Sequence, residues 1–153
     1  MRFLLIDRIV EIKSGQRARA IKNVAMSEDF LTYHFPSTPI MPGALIAESA
    51  VQLAGWIVRE ATDFELSGLV TAFERARFMQ LVRPGDQLEL DVKVVELDDS
   101  QARFSAIARC RGKKVASGRF RQRLVPTGDL EAIEGARRLF EILCTPLTAE
   151  ANS

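Results

Sequence analysis

In 153 residues the chain has one histidine, one tryptophan, one tyrosine and two cysteines. Zinc and dithiol chemistry need sulfur and imidazole ligands at short spacing. Cys110 and Cys144 lie far apart, no CxxC occurs, and His34 is the only imidazole that could join them. No metal site and no disulfide are expected, and both thiols should be buried or idle. Charge of one sign is also scarce, since 21 Lys and Arg face 20 Asp and Glu for a net charge of +1. Such a chain has no global field for nucleic acid or a membrane surface, so an electrostatic partner must meet a local patch. Aromatic residues do not interleave with the arginines as they do in single-strand binders. No apolar run is long and clean enough to span a bilayer. The opening MRFLLIDRIVEI begins like a leader, but Asp7, Arg8 and Glu11 interrupt it before a signal-peptide core forms, and the expected address is the cytoplasm.

What is present is an ordinary folding composition, 47% hydrophobic and 27% charged. A chain of this length buries about 70% of the surface its unfolded form exposes, enough for one substantial core. No internal repeat is evident. The expected organisation is one domain over residues 1–125, with residues 126–153 as its C-terminal helical extension.

Residues 4–13 and 16–24 read as a hairpin around Ser14-Gly15. Ser27, Glu28 and Asp29 open a short helix that stops before His34, and Pro36, Pro39 and Pro42 then exclude helix from the following loop. With Pro42 in its first turn, the run Gly43 to Glu60 predicts a helix apolar on nearly all faces, which belongs in a core. Glu48, Ser49 and Gln52 are its polar interruptions, and such groups need partners or a purpose.

Past Phe64 the period changes to two. Leu88, Leu90, Val92 and Val94 face one way and Gln87, Glu89, Asp91 and Lys93 the other, a half-buried antiparallel strand. Residues 101–112 and 114–124 form another pair. A three-residue connection at Gly112-Lys113-Lys114 is expected, because it puts Ala102, Phe104, Ala106, Ala108 and Cys110 on one inner face with Ala116, Gly118 and Phe120. Arg103, Arg109, Arg111, Arg119, Arg121 and Arg123 then share the outer face. Glu89 and Asp91 on the adjacent strand should neutralise part of it. Asp129 is placed to cap a final amphipathic helix carrying Leu130, Ile133, Leu139, Phe140 and Leu143, with a loose tail after Thr145. The class is α+β, one long buried helix wrapped by a curved antiparallel sheet with an extra C-terminal helix. One such sheet leaves open edges, and pairing two copies would protect them and form a crevice between subunits.

The chemistry concentrates between His34 and Glu48. An imidazole titrates near ~6.5 when unperturbed, so a histidine can act as a neutral base near pH 7. A carboxyl in an apolar helix can donate to a leaving hydroxyl or orient it. Gly43, at the helix start, offers unpaired amides and the positive end of the helix dipole to an oxyanion. The bland alternatives are a packing histidine, a buried carboxylate satisfied by amides, a punctuating glycine and a structural glutamine at Gln52.

The segments Tyr33-His34-Phe35-Pro36 and Pro39-Ile40-Met41-Pro42-Gly43, with Glu48 and Gln52, resemble the 3-hydroxyacyl-acyl-carrier-protein dehydratases of fatty-acid synthesis, hot-dog proteins of the FabZ and FabA group. The likeness continues in Leu4-Leu5-Ile6-Asp7-Arg8, Arg75-Ala76-Arg77-Phe78 and Arg83-Pro84-Gly85-Asp86, and covers about residues 1–124. It implies that His34 and Glu48 are catalytic, that the Gly43 amide is the oxyanion donor, and that Gln52 supports the carboxylate. It also implies that the histidine of one subunit faces the carboxylate of the other beside an acyl tunnel at the interface. The implied assembly is a homodimer or a trimer of dimers, and the implied partner is acyl carrier protein bearing a phosphopantetheine-linked substrate. No cofactor is implied. The arginine face is then either a docking surface for the acidic carrier or a solvated sheet face, and Arg75, Arg77 and Arg83 are further docking candidates. Glu48 rather than aspartate points to the FabZ-like branch, which dehydrates without obligatory isomerisation.

Tyr33 and Ser37 stand where relatives usually carry glycine, or for Tyr33 glycine or aspartate. A positive φ at either would imply strain or another loop path. Residues 126–153 run beyond the usual final strand and are expected to cover the sheet, join subunits or gate the tunnel. Two other readings share the fold: a hot-dog acyl thioesterase, and a non-catalytic acyl-carrier or lipid-binding module.

Overall fold

The period-two runs and the apolar helix resolve into six strands and two helices in a computed structural model that describes residues 3–145. In chain order these are β1 (Arg8–Lys13), β2 (Arg17–Asn23), a 3-10 turn (Asp29–Thr32), α1 (Gly43–Ala61), β3 (Leu66–Phe78), β4 (Gln87–Leu97), β5 (Gln101–Cys110), β6 (Lys113–Pro126), a second 3-10 turn (Thr127–Asp129) and α2 (Ile133–Cys144). The strands form one antiparallel sheet in the order β1-β2-β4-β5-β6-β3. It curves around α1, which packs against β2, β3, β4, β5 and β6.

The alternation in β4 is as expected. Leu88, Leu90 and Val92 are buried and Val94 partly so, while Gln87, Glu89 and Lys93 are exposed. Leu53 and Ile57 of α1 are fully enclosed with Phe104 and Phe120, whose rings stack at 5.5 Å. Burying such a side chain stabilises the fold by roughly 1.5–3 kcal/mol. Pro42 sits one residue before the helix rather than within it, and Gly43 opens the first turn.

The β5–β6 connection differs from the three-residue loop read in the sequence. Only Arg111 and Gly112 separate Cys110 from Lys113, with φ of 51° and 74°, the left-handed pair that a tight hairpin turn demands. The inner face is still the expected one, because a bulge shifts the register between Arg109↔Lys114 and Ala108↔Ala116. One extra residue in β6 restores the alternation that a two-residue loop alone would invert.

The C-terminal helix also starts later than expected. Asp129 ends the second 3-10 turn, and α2 is preceded by Ala132, with no side-chain cap. Leu130 and Ile133 stay exposed, whereas Ala136 and Leu143 are buried. Phe140 packs on Trp56 at 5.8 Å and on Phe64 at 5.4 Å, so α2 covers the C-terminal half of α1 and also touches β1. Arg59 bonds Glu131 at 2.6 Å, Arg137 bonds Asp63 at 2.9 Å, and the Arg137 guanidinium lies 4.7 Å above the Phe64 ring. Burial lowers the Arg59 pKa, and Glu131 only partly offsets this. The tail after Thr145 lies outside the described residues.

Both cysteines are unpaired. Burial pushes the Cys110 thiol up to about 11 and raises that of Cys144.

Candidate active site

Pro36, Pro39 and Pro42 leave the segment after the first 3-10 turn unable to form a helix, and it closes into a compact loop. Phe35 and Thr38 exchange both backbone hydrogen bonds at 3.1 and 3.0 Å, and Ile40 N–H donates to the His34 carbonyl at 2.9 Å. Met41 N–H then ties the loop to Val82 at 2.8 Å. Neither Tyr33 nor Ser37 has a positive φ; among described non-glycine residues only Asp63, Phe64 and Arg111 do. The larger residues are therefore accommodated without left-handed strain.

His34 is half-buried, stacked on Phe35 at 4.2 Å, with Nδ1 3.1 Å from the Ile40 carbonyl oxygen. A carbonyl only accepts, so Nδ1 carries the proton of the neutral ring. Nε2 is left as the basic lone pair, the state a general base requires.

Glu48 projects from the second turn of α1 and is also half-buried. One turn on, Gln52 Nε2 donates to Glu48 Oε1 at 3.1 Å. The same amide accepts from Leu5 N–H at 2.9 Å and donates to the Phe3 carbonyl at 3.1 Å. Gln52 thus fills the structural and the supporting role together. The sequence did not reveal its link to the N-terminal segment, a contact between residues 47 positions apart.

The Gly43 amide makes no hydrogen bond within the described residues and points from the N-terminus of α1. A side chain here would meet the Phe78 ring, with a Cβ only 3.0 Å from its nearest carbon. Phe78 also walls a narrow cleft of about 30 Å³ between α1 and the sheet, lined by Ile46, Ala50, Phe73, Ala106 and Phe120. Small side chains on α1 and β5 leave this space open, and it runs from the neighbourhood of Gly43 into the apolar interior.

Within one chain, no hydrogen bond or ion pair joins His34 to Glu48; each has its own partner instead. The strand nearest the cleft, β3, is an edge strand paired only with β6. It runs for 13 residues and exposes Leu69, Val70, Phe73 and Phe78. The opposite edge, β1, has six residues, a bulge between Ile9 and Glu11, and charged side chains. Short, bulged, charged edges resist further pairing, whereas long apolar ones invite it.

A family model described as the FabA-like domain matches residues 1–127. The chain belongs to the FabA-like family. Among its relatives, the 3-hydroxyacyl-[acyl-carrier-protein] dehydratase FabZ of Thermoanaerobacter sp. (strain X514) is 43% identical over 116 residues, 75% of this chain and 81% of that protein. The enzyme of the same name from Paracidovorax citrulli is 42% identical over 111 residues, 70% of this chain and 76% of that one. Among solved structures, the dehydratase heterocomplex ApeI:P of Xenorhabdus doucetiae superposes with a TM-score of 0.67 at 16% identity, covering 84% of this chain and 87% of that one. The E. coli PaaI protein of the phenylacetic acid degradation operon gives a TM-score of 0.60 at 15% identity, covering 76% and 78%. At those identities the likeness shows the fold alone, the hot-dog fold expected for a FabA-like chain.

The arginine face is partly neutralised, but by other carboxylates than those expected. Glu74 takes Arg103 and Arg121, and Glu96 also takes Arg103. Asp91 is committed to Arg17 through two bonds at 2.9 and 3.0 Å, and Glu89 pairs with no cation among the described residues. Arg75, Arg77 and Arg83 are exposed and have no ion pair among the described residues. Arg75 lies directly across from Arg119, a like-charge pair that costs stability unless an anion answers it. No described helix is long and apolar enough to cross a membrane.

Proposed function

We propose that this FabA-like chain dehydrates (3R)-3-hydroxyacyl-[acyl-carrier-protein] thioesters to trans-2-enoyl thioesters in fatty-acid or related acyl-chain synthesis. The observation that carries this is a histidine whose Nδ1 faces the Ile40 carbonyl, leaving Nε2 free to act as the base, in a chain 43% identical over most of its length to a dehydratase of that name. His34 Nε2 takes the C2 proton, and the C2–H electron pair becomes the C2=C3 bond. The C3–O bond breaks, and the hydroxyl leaves as water with a proton from Glu48. Charge growing on the thioester oxygen meets the Gly43 amide and the dipole of α1. Proton transfer from His34 back to Glu48 resets the pair.

The long apolar edge of β3, with Leu69, Val70, Phe73 and Phe78 exposed, supports a homodimer joined along β3, alone or as a trimer of dimers, with each site built from both copies. The acyl chain then occupies the cleft behind Gly43. Arg75, Arg77 and Arg83 present unpaired positive charge to the acidic carrier. The expected address is the cytoplasm, where such thioesters are made.

Mass spectrometry of a (3R)-3-hydroxyacyl carrier protein after incubation tests this reading. Wild type should remove one water from the thioester, and His34→Ala should not. Dehydration by a folded His34→Ala variant would remove the base from this assignment, and release of the free carrier thiol would make the protein a thioesterase.

A further inference from the structure

Lys22 is only 5% exposed, a cation inside the fold on β2. Its Nζ hydrogen-bonds Glu28 and lies 3.5 Å from Asp7 Oδ1. A buried ammonium is costly unless paired, and these two carboxylates belong to different arms of the site.

Glu28 directly precedes the 3-10 turn, and its carbonyl accepts from Leu31 N–H at 3.0 Å. Tyr33 and His34 follow at once, so Glu28 fixes where the histidine loop departs. Asp7 closes the segment Phe3–Ile6, whose backbone brackets the Gln52 amide that holds Glu48. Asp7 Oδ2 also accepts from Asn23 N–H at 2.6 Å, which locks the same corner onto β2.

We propose that Lys22 is a positioning residue that holds the His34 arm and the Gln52–Glu48 arm at a fixed spacing. This rests on reading His34 and Glu48 as the reacting groups. An apolar residue at position 22 would fill the same volume but grip neither arm. In a dimer, where each site takes one arm from each copy, the Lys22 of each copy anchors the histidine arm of one site and the carboxylate arm of the other. Displacing a catalytic group by an ångström is enough to cost about a hundredfold in rate.

His34 is the only histidine, so its ring ¹H and ¹⁵N resonances identify themselves. In wild type they should report the Nδ1–H tautomer. Glu28→Gln, which loosens one arm, should mix the tautomers and lower kcat about tenfold or more with KM within about threefold. Asp7→Asn should lower kcat while leaving the His34 signals in place. Lys22→Met should do both, and Lys22→Arg should stay within about threefold of wild type. If Lys22→Met does not fold, the two single-arm variants decide. Wild-type kcat and ring signals in folded Glu28→Gln and Asp7→Asn would overturn the proposal. So would a Lys22→Met variant that loses melting temperature alone. The ring signals need no turnover, so inactivity of wild type would remove the function reading while the tautomer test still judges the Glu28 arm.

Discussion

The Gln52 side chain donates to Glu48 at 3.1 Å while its carbonyl oxygen holds Leu5 N–H at 2.9 Å. One amide therefore couples the carboxylate to the N-terminal segment, and the two roles separate by mutation. Gln52→Glu keeps an acceptor for Leu5 but puts a second carboxyl beside Glu48. It should lower kcat by at least about tenfold with a modest change in melting temperature. Gln52→Ala should lose activity and, in addition, about 1–3 kcal/mol of stability from the released backbone groups. Steady-state kinetics and thermal melts on the two variants check this.

Gly43 has two separable demands, a free amide and room for Phe78. Gly43→Ala should reduce kcat/KM, because the new methyl pushes the Phe78 ring toward the cleft and narrows the thioester's approach. Gly43→Ala/Phe78→Leu should recover part of the loss if the ring is the obstacle. No recovery would locate the defect at the amide itself. The readout is kcat/KM for both variants against Phe78→Leu alone.

Much of this was legible in the sequence because local chemistry and global packing agree. Strict alternation set the faces of β4, three prolines excluded helix from the histidine loop, and the apolar run from Gly43 to Glu60 became the buried helix. What escaped depended on contacts between distant positions. The β5–β6 turn was misread because a bulge restores the same faces that a longer loop would give, and alternation alone cannot separate the two. The start of α2 was misread because Asp129, a good cap in isolation, is taken up by a 3-10 turn, while Phe140 docking on Trp56 and Phe64 sets where the helix lies. Lys22 carried no local signal, since its carboxylate partners come from β1's approach and the turn before His34. The motif residues were legible individually. Their separate partners, the Ile40 carbonyl for His34 and the Gln52 amide for Glu48, belong to the fold and are contained in no spacing along the sequence.

Arg75 and Arg77 flank Ala76 on β3, so the strand that presents Ala76 and Phe78 to the cleft presents these guanidinium groups to its opposite face. No carboxylate pairs with either among the described residues, and Arg119 opposes Arg75 directly. An acidic carrier docking here would relieve that repulsion, and exposed charges of this kind act mainly on encounter. The double variant Arg75→Glu/Arg77→Glu should therefore raise KM for an acyl-carrier-protein substrate several-fold, with kcat little changed. The same acyl group on a short neutral thiol such as N-acetylcysteamine should be turned over as in wild type. Added salt should raise the wild-type KM for the carrier substrate and leave that of the charge-reversed variant nearly flat. Equal losses on both substrates would instead mean that the two arginines support the strand, and carrier docking would have to be sought elsewhere, beginning with Arg83.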